Sequence, residues 1–431
     1  MPPREPRVAD AGSMGQAAAA WGGSDADKSP RAAKSFSVLW RLAVPITQMC
    51  SGHGMRLTAQ FARLIRFAWL LVGEMGSRSL LAPAWAGLFV VLMADVLSAQ
   101  PLLTVSDSKG ESTVTMGVFS QPTVDWEKIG DGAMAGSVYV RRLRVIAGGN
   151  ATRKLRFFLD SDTPNLGREI NGERQHTTYL QDLIVTYAER DEFQIDAGML
   201  MVPVSYNSLQ SAASLLSVAY GPYSFVSSAP TTSKVGRDQG VQARGYLIRK
   251  HLEYRAGAFR GIREIDPGAP LRTTVRVAWH AFEPQTNFFY AGTTHGKKKL
   301  LVVGASLDRQ DRYSSAAVDA LYETPVRERD AVTLQVDAIH YDGGARLRQI
   351  PRQNTLLIES GYTWGRWRLG VFGQASWQRV TSGPDAANWQ VGGAWWLHGH
   401  RANVKAGVGR STRDLSPAHT QVVVQTQVFA F

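Results

Sequence analysis

From about residue 110 to the end of the chain, apolar and polar positions alternate with period two. "KLRFFLD" sets Leu155, Phe157 and Leu159 against Lys154, Arg156 and Asp160. "TTVRVAWH" sets Val275, Val277 and Trp279 against Arg276 and His280, and "VTLQVDA" sets Val332, Leu334 and Val336 against Thr333, Gln335 and Asp337. "RWRLGVFGQASWQ" and "RANVKAGVG" repeat the pattern near the C-terminus. Each segment reads as a strand with one apolar and one polar face, and the helical period is missing.

A soluble sandwich would also alternate in this way. Three features favour a membrane barrel. Segments of about 9–12 residues suit a tilted membrane-spanning strand. Aromatics gather near segment ends, as in an interfacial girdle: Tyr139, Tyr187, Phe193, Tyr246, Tyr254, Trp364, Trp367, Trp377, Trp389, Trp395 and Trp396. Connections alternate between tight turns (148–151, 190–192, 249–251, 365–366, 399–400) and long links (121–136, 163–176, 204–236, 262–271, 343–353, 379–387, 410–419). Two connections break that rule: 284–297 is long where a tight turn is due, and the link at 309–312 is short where a loop is due.

This predicts an all-β fold: a closed, antiparallel, up-and-down transmembrane β-barrel. Its strands, about sixteen in number with fourteen and eighteen as the neighbouring even counts, start near 113, 137, 153, 178, 192, 239, 252, 273, 299, 313, 331, 354, 366, 388, 401 and 420. The last run, "TQVVVQTQVFAF", then pairs with the first to close the cylinder. Phe429 and Phe431 resemble the C-terminal signal read by outer-membrane assembly machinery. Gln425 and Gln427 share their face, so Val422, Val424 and Val428 are the alternative lipid face.

Residues 80–94, "LLAPAWAGLFVVLMA", follow Arg78 and precede "VLSAQP". Basic, apolar and small-residue regions in that order predict a signal peptide, residues 75–99, cleaved after Ala99. Residues 1–74 read as a disordered or mis-assigned extension, and residues 100–431 as the barrel domain. The net charge of +12 is spread singly along the chain, the longest basic run being Lys297-Lys298-Lys299, which argues against a nucleic-acid partner. Residues 101–431 keep a surplus of +8. The one cysteine, Cys50, lies in the extension, so no thiol-based metal site is expected. "GTTHGKK" lacks P-loop spacing, and "HGH" (398–400) offers two histidines without a third ligand. No catalytic motif, metal or cofactor is predicted.

Across residues 135–345 the order of segments resembles the phosphate-selective porin O and P family. The stretches that carry this are "VRRLRV", "DLIVTYAERDEFQIDAGMLMVPVS", "GRDQGVQARG", "LEYRAGAFRG" and "VGASLDRQDRYSSAAVDA". The resemblance implies a sixteen-stranded outer-membrane porin in outer-membrane lipid. It implies a homotrimer that passes small anionic or hydrophilic, phosphate-like solutes through a constriction made by the third loop. That family carries charge in this loop, whereas residues 209–233 here have none.

The expected lumen-facing cations are Arg142, Arg144, Lys154, Arg156, Arg244, Arg255, Arg276, Arg368 and Lys405. They either set anion selectivity or pair with Asp182, Asp196, Asp337 and Glu359 in the wall. Ser208, Leu209, Gln210, Ser211, Tyr220 and Tyr223 mark the expected constriction loop, with "LQSAASLLSVA" as a short helix against the wall. The rival readings are an external flap for this loop, a structural or adhesive barrel with a plugged lumen, and a barrel-type enzyme.

Overall fold

The structure, a computed structural model, describes residues 101–228, 236–263, 267–327 and 329–431. The expected signal peptide and N-terminal extension lie outside the described residues. Sixteen antiparallel strands form the barrel. They are β1 (Thr113–Ile129), β2 (Ala135–Asn150), β3 (Leu155–Asp162), β4 (Tyr179–Arg190), β5 (Phe193–Met201) and β6 (Arg237–Leu247). Next come β7 (Leu252–Phe259), β8 (Arg272–His280), β9 (Leu300–Gln310), β10 (Tyr313–Pro325) and β11 (Ala331–Asp342). The circuit ends with β12 (Gln353–Trp364), β13 (Leu369–Val380), β14 (Ala386–Trp395), β15 (Ala402–Arg413) and β16 (Ser416–Ala430). Each strand pairs with its neighbour in sequence, and β16 pairs back onto β1 from His419↔Ile129 to Ala430↔Val118. Closure leaves no open edge for lipid to meet, which is the condition for a sheet to span a bilayer.

The alternation predicts the faces correctly. On β10, Tyr313, Ser315, Ala317, Asp319, Leu321 and Glu323 are buried inside, while Val318 is 60% exposed outside. On β16, Val423, Gln425 and Gln427 face in and Val422, Val424 and Val428 face out. The terminal aromatics therefore turn inward: Phe429 meets Phe119 edge-on at 5.9 Å, and Phe431 meets Phe158 at 6.0 Å.

One rim carries the connections 151–154, 191–192, 248–251, 281–299, 326–330, 365–368 and 396–401. The other carries 130–134, 163–178, 202–236, 260–271, 311–312, 343–352, 381–385 and 414–415. Both expected exceptions, the long 281–299 and the short 311–312, are present. Three expected links are too long: 121–136 and 410–419 are mostly strand, and 379–387 shortens to 381–385. Pairing there continues past the apolar band, as in the β15–β16 hairpin, whose polar ends pair up to Arg413↔Ser416.

Two irregularities sit at the seam. Pro122 has no N–H to donate, and it lies where β1 and β2 shift register and where the β1–β16 ladder is interrupted. A short extra strand, Leu103–Ser106, pairs with β1 from Leu103↔Met116 to Ser106↔Thr113, covering the edge that β16 leaves beyond Ala430. The aromatic girdle also needs correction. Tyr139, Tyr246 and Trp396 are buried inside instead of facing lipid. The two tyrosine hydroxyls have inward partners: Tyr139 donates to Asp125 Oδ2 at 2.9 Å, and Tyr246 accepts from Arg244 at 3.3 Å.

Val318→Arg places a cation on the lipid face near mid-strand and is expected to destabilise the barrel by about 2–4 kcal/mol. The fraction that folds into liposomes across a urea series checks this, with Ser314→Arg, at the strand end, costing much less.

Candidate functional site

Strand β5 ends where Pro203 cannot donate to a ladder, and the chain turns inward. Ser205 caps one helical turn, α1 (Tyr206–Leu209), in a reciprocal capping box with Ser208. Beyond it Ser211, Ala212, Ala213 and Ser214 let the backbone lie close to the wall. The expected helix over 209–219 is absent. Wall side chains satisfy the loop's backbone groups instead, so an internal helical ladder is not required. Lys405 Nζ donates to Leu215 O at 2.6 Å and Ser217 O at 2.8 Å, and Gln427 Nε2 donates to Ala213 O at 2.7 Å. Asn207 N donates to Asp337 Oδ2 at 2.8 Å, and Gln210 Nε2 to Gln335 Oε1 at 2.7 Å. Ser217 Oγ donates to Glu359 at 2.5 Å. Tyr220 closes the loop on itself by donating to Gln210 O at 2.8 Å, and the Tyr223 carbonyl accepts from Tyr341.

The 281–299 turn enters from the opposite rim and meets this loop. Tyr290 stacks on Tyr206 with centroids 4.7 Å apart, and Ser211 N donates to Tyr290 O at 2.9 Å. Leu209, Tyr206, Tyr290, Leu300, Val302 and Leu321 form one buried apolar cluster. Loop and turn together fill the lumen along the middle strands. At the base of the turn the His295 and His400 rings lie tilted against each other, centroids 4.3 Å apart, beside Trp396. His398 of the same "HGH" stretch points to solvent. Among the described residues no group of three or more His, Cys, Asp or Glu converges as a metal site.

The expected cations differ in where they lie. Arg144, Arg244, Arg255 and Arg276 are buried and paired: with Asp160 and Asp162 (2.8 and 3.1 Å), Asp196 (2.7 Å), Glu253 (2.7 Å) and Asp319 (2.6 Å). Lys405 is buried in the loop contacts just described. Lys154 and Arg368 are not on the wall. Lys154 lies in the 151–154 turn and binds Glu189 at 2.7 Å. Arg368 ends the 365–368 turn at φ 55°, where its guanidinium donates to Leu397 O at 2.9 Å. Arg156 is inward but exposed, close to the same rim.

Arg142 is lumen-facing and, like Arg156 and Lys405, forms no ion pair with a carboxylate among the described residues. It donates to Gln121 Oε1 at 2.7 Å, and its Cζ lies 5.7 Å from the Tyr220 ring. Its neighbour Arg141, which strict alternation sends to lipid, joins it. Val140 opposes Pro122 and Leu143 opposes Ser120, so both arginines oppose Gln121 in a bulge. Arg141 shares the field of Asp125 and Arg168 inside the lumen. The spacing of Val140 and Leu143, three apart where two keeps one face, was the available sign. Arg168, Arg237 and Arg272 are further inward cations that the sequence reading missed. Arg168 binds Glu127 at 2.7 Å, and Arg237 binds Asp182 at 2.9 Å.

A cavity of about 110 Å³ opens between the tip of the loop, at Ala219, Tyr220 and Pro222, and strands β13 to β16. Gln374, Asn388, Gln390, Ser411, His419 and Gln421 line it. Tyr220 links this cavity to β2, since the Arg142 guanidinium lies over its ring, 5.7 Å from the centroid.

Arg276 reaches Asp319 across β9 because Gly304 stands between them. A Cβ there would meet the guanidinium and lie 2.7 Å from Asp319 Oδ1. Asp319→Asn leaves the guanidinium buried and uncompensated and is expected to cost about 3–5 kcal/mol. A fall in the melting temperature of the detergent-solubilised barrel checks this, and Gly304→Val should fall in the same direction. Burial pushes His295 down to about 2 and His400 down to about 4, with Lys405 and Lys297 adding repulsion. Unfolded imidazole titrates near 6.5, so the neutral pair stabilises the turn fully above that pH. The stability then drains by ~1.4 kcal/mol per pH unit per ring as pH falls below it. Hydrogen exchange in 281–299, corrected for intrinsic rate, should rise between pH 7 and pH 5, and His295→Phe should blunt the rise.

The family model for phosphate-selective porin O and P matches residues 123–307. No curated protein matches the chain. Among solved structures, an anion-selective porin from Comamonas acidovorans is similar at 12% identity and a TM-score of 0.52, over 74% of this chain and 100% of that one. OmpF of Salmonella typhi in complex with daunomycin is similar at 11% identity and 0.51, over 75% and 100%. DcaP of Acinetobacter baumannii is similar at 9% and 0.50, over 75% and 100%. At these identities the likeness is one of fold. The family match and the fold point to a channel for small solutes in the bacterial outer membrane, not to an enzyme. From β1 into β9, residues 123–307, the chain thus matches the family model of phosphate-selective porin O and P, within a closed sixteen-stranded barrel that has the fold of outer-membrane porins.

Proposed function

We propose that this porin passes small hydrophilic anions passively through the open side of its lumen, with Arg141 and Arg142 setting the sign of the preference. The observation that carries this reading is that these two neighbouring guanidiniums form no ion pair with a carboxylate among the described residues, whereas Arg144 is held by two carboxylates and Arg244, Arg255 and Arg276 by one each. A paired cation contributes little field to a passing ion. An unpaired one at a narrow point lowers the barrier for anions and raises it for cations. Phosphate-like anions fit this field. The uncharged loop supplies the narrowing without charge, so the wall supplies the selectivity. The family resemblance adds a homotrimer, the order of basic, apolar and small residues over 75–99 adds export by a leader cleaved after Ala99, and the Phe429 and Phe431 pattern adds insertion by outer-membrane assembly machinery.

In a planar bilayer under a KCl gradient the parent protein is expected to reverse on the anion side. Arg141→Gln with Arg142→Gln should move the reversal potential at least halfway to zero, while Arg156→Gln should barely move it. The preference should weaken as KCl rises toward 1 M, where the screening length falls to about 3 Å. An unchanged potential in the double variant overturns the assignment to these two residues. Absence of stepwise current in folded parent protein points instead to a structural barrel with a plugged lumen.

A further inference from the structure

The wall opposite Tyr220 has a chemistry that bare anions do not use. Gln390 Oε1 is buried without a hydrogen-bond donor. Asn388 spends its Nδ2 on Ser411 Oγ at 2.6 Å, and Gln421 spends its Nε2 on Asp125 and Glu127 at 3.1 and 3.0 Å. All three side chains line the 110 Å³ cavity, and their carbonyl oxygens accept from no donor among the described residues. A carbonyl oxygen repels a naked oxyanion but accepts from a hydroxyl. The cavity's other side is Tyr220, whose ring gives a flat apolar face, with the Arg142 guanidinium 5.7 Å from its centroid. The carboxylates near this mouth, Asp125 and Glu127, are already held by Arg168 at 3.4 and 2.7 Å.

Resting on the anion-preferring reading above, we propose that this cavity is a recognition site for monosaccharide-sized polyhydroxylated anions: sugar acids or sugar phosphates. The anionic group lies at Arg141 and Arg142, one sugar face lies on Tyr220, and the hydroxyls donate to Gln390, Asn388 and Gln421. Unmet carbonyls penalise a solute that brings no hydroxyls, because a site built for hydrogen bonding rejects analogues that cannot complete it.

The test is block of the KCl current through the full barrel in a bilayer by paired probes. Gluconate should half-block at a concentration about tenfold lower than acetate or glucose, a difference typical of one or two completed hydrogen bonds. Glucose 6-phosphate against inorganic phosphate makes the same comparison for the phosphate form, and an advantage in either pair supports the site. Asn388→Leu with Gln390→Leu should bring gluconate and acetate to within about twofold of each other, while the reversal potential in plain KCl stays at the parent value. If that variant does not fold, Gln390→Glu should abolish gluconate block by charge repulsion. Equal block within both pairs, or an advantage that survives these substitutions, overturns the proposal. Loss of anion preference in plain KCl, by contrast, strikes the reading it rests on.

Discussion

A strand in hydrocarbon must leave no backbone N–H or C=O without a partner, and the rest of this molecule follows from that demand. The ring of ladders from β1 to β16 meets it, with Leu103–Ser106 covering the stretch of β1 that β16 does not reach. Once the sheet is closed, alternate residues face inward, and sixteen strands enclose more space than their side chains fill. The inner loop and the 281–299 turn occupy that space from opposite ends. They succeed because the wall presents amides, carboxylates and one lysine at the heights where loop backbone needs partners.

The wall's charge is mostly consumed by this architecture. Arg255 and Arg276 are among the most fully buried side chains, packed under Phe288 and Tyr290 as well as paired with carboxylates. Buried pairs of this kind are poor evidence for extra stability, but removing one partner is severe. They fix the positions of the strands around the inserted segments. Arg141 and Arg142 stand outside these pairs.

Much of this was legible in the alternation. Fifteen of the sixteen strand starts fall within three residues of expectation and the sixteenth, Ser416, within four, because lipid on one face and water or protein on the other enforce period two. What was not legible depends on partners distant in sequence. Arg276 and Asp319 meet only because Gly304 lies between them in the sheet. The false helix over 209–219 had adequate local propensity, but wall contacts such as Lys405 to Leu215 O replaced the helical bonds. Tyr139, Tyr246 and Trp396 look like girdle residues until their inward partners are known. Leu103–Ser106 is too short to carry a period.

The paired arginines at 141 and 142 carry a consequence for how such a barrel can vary. In regular strand, adding a second inward charge needs a new position two residues away and a matching change on the outside. Here one surplus residue opposite Gln121 doubles the local charge while Val140 and Leu143 keep their seats in the membrane. Excising either arginine would straighten the strand and return it to one cation at that height. The number of inward cations at this height can thus change by one residue while the outward positions on either side are kept.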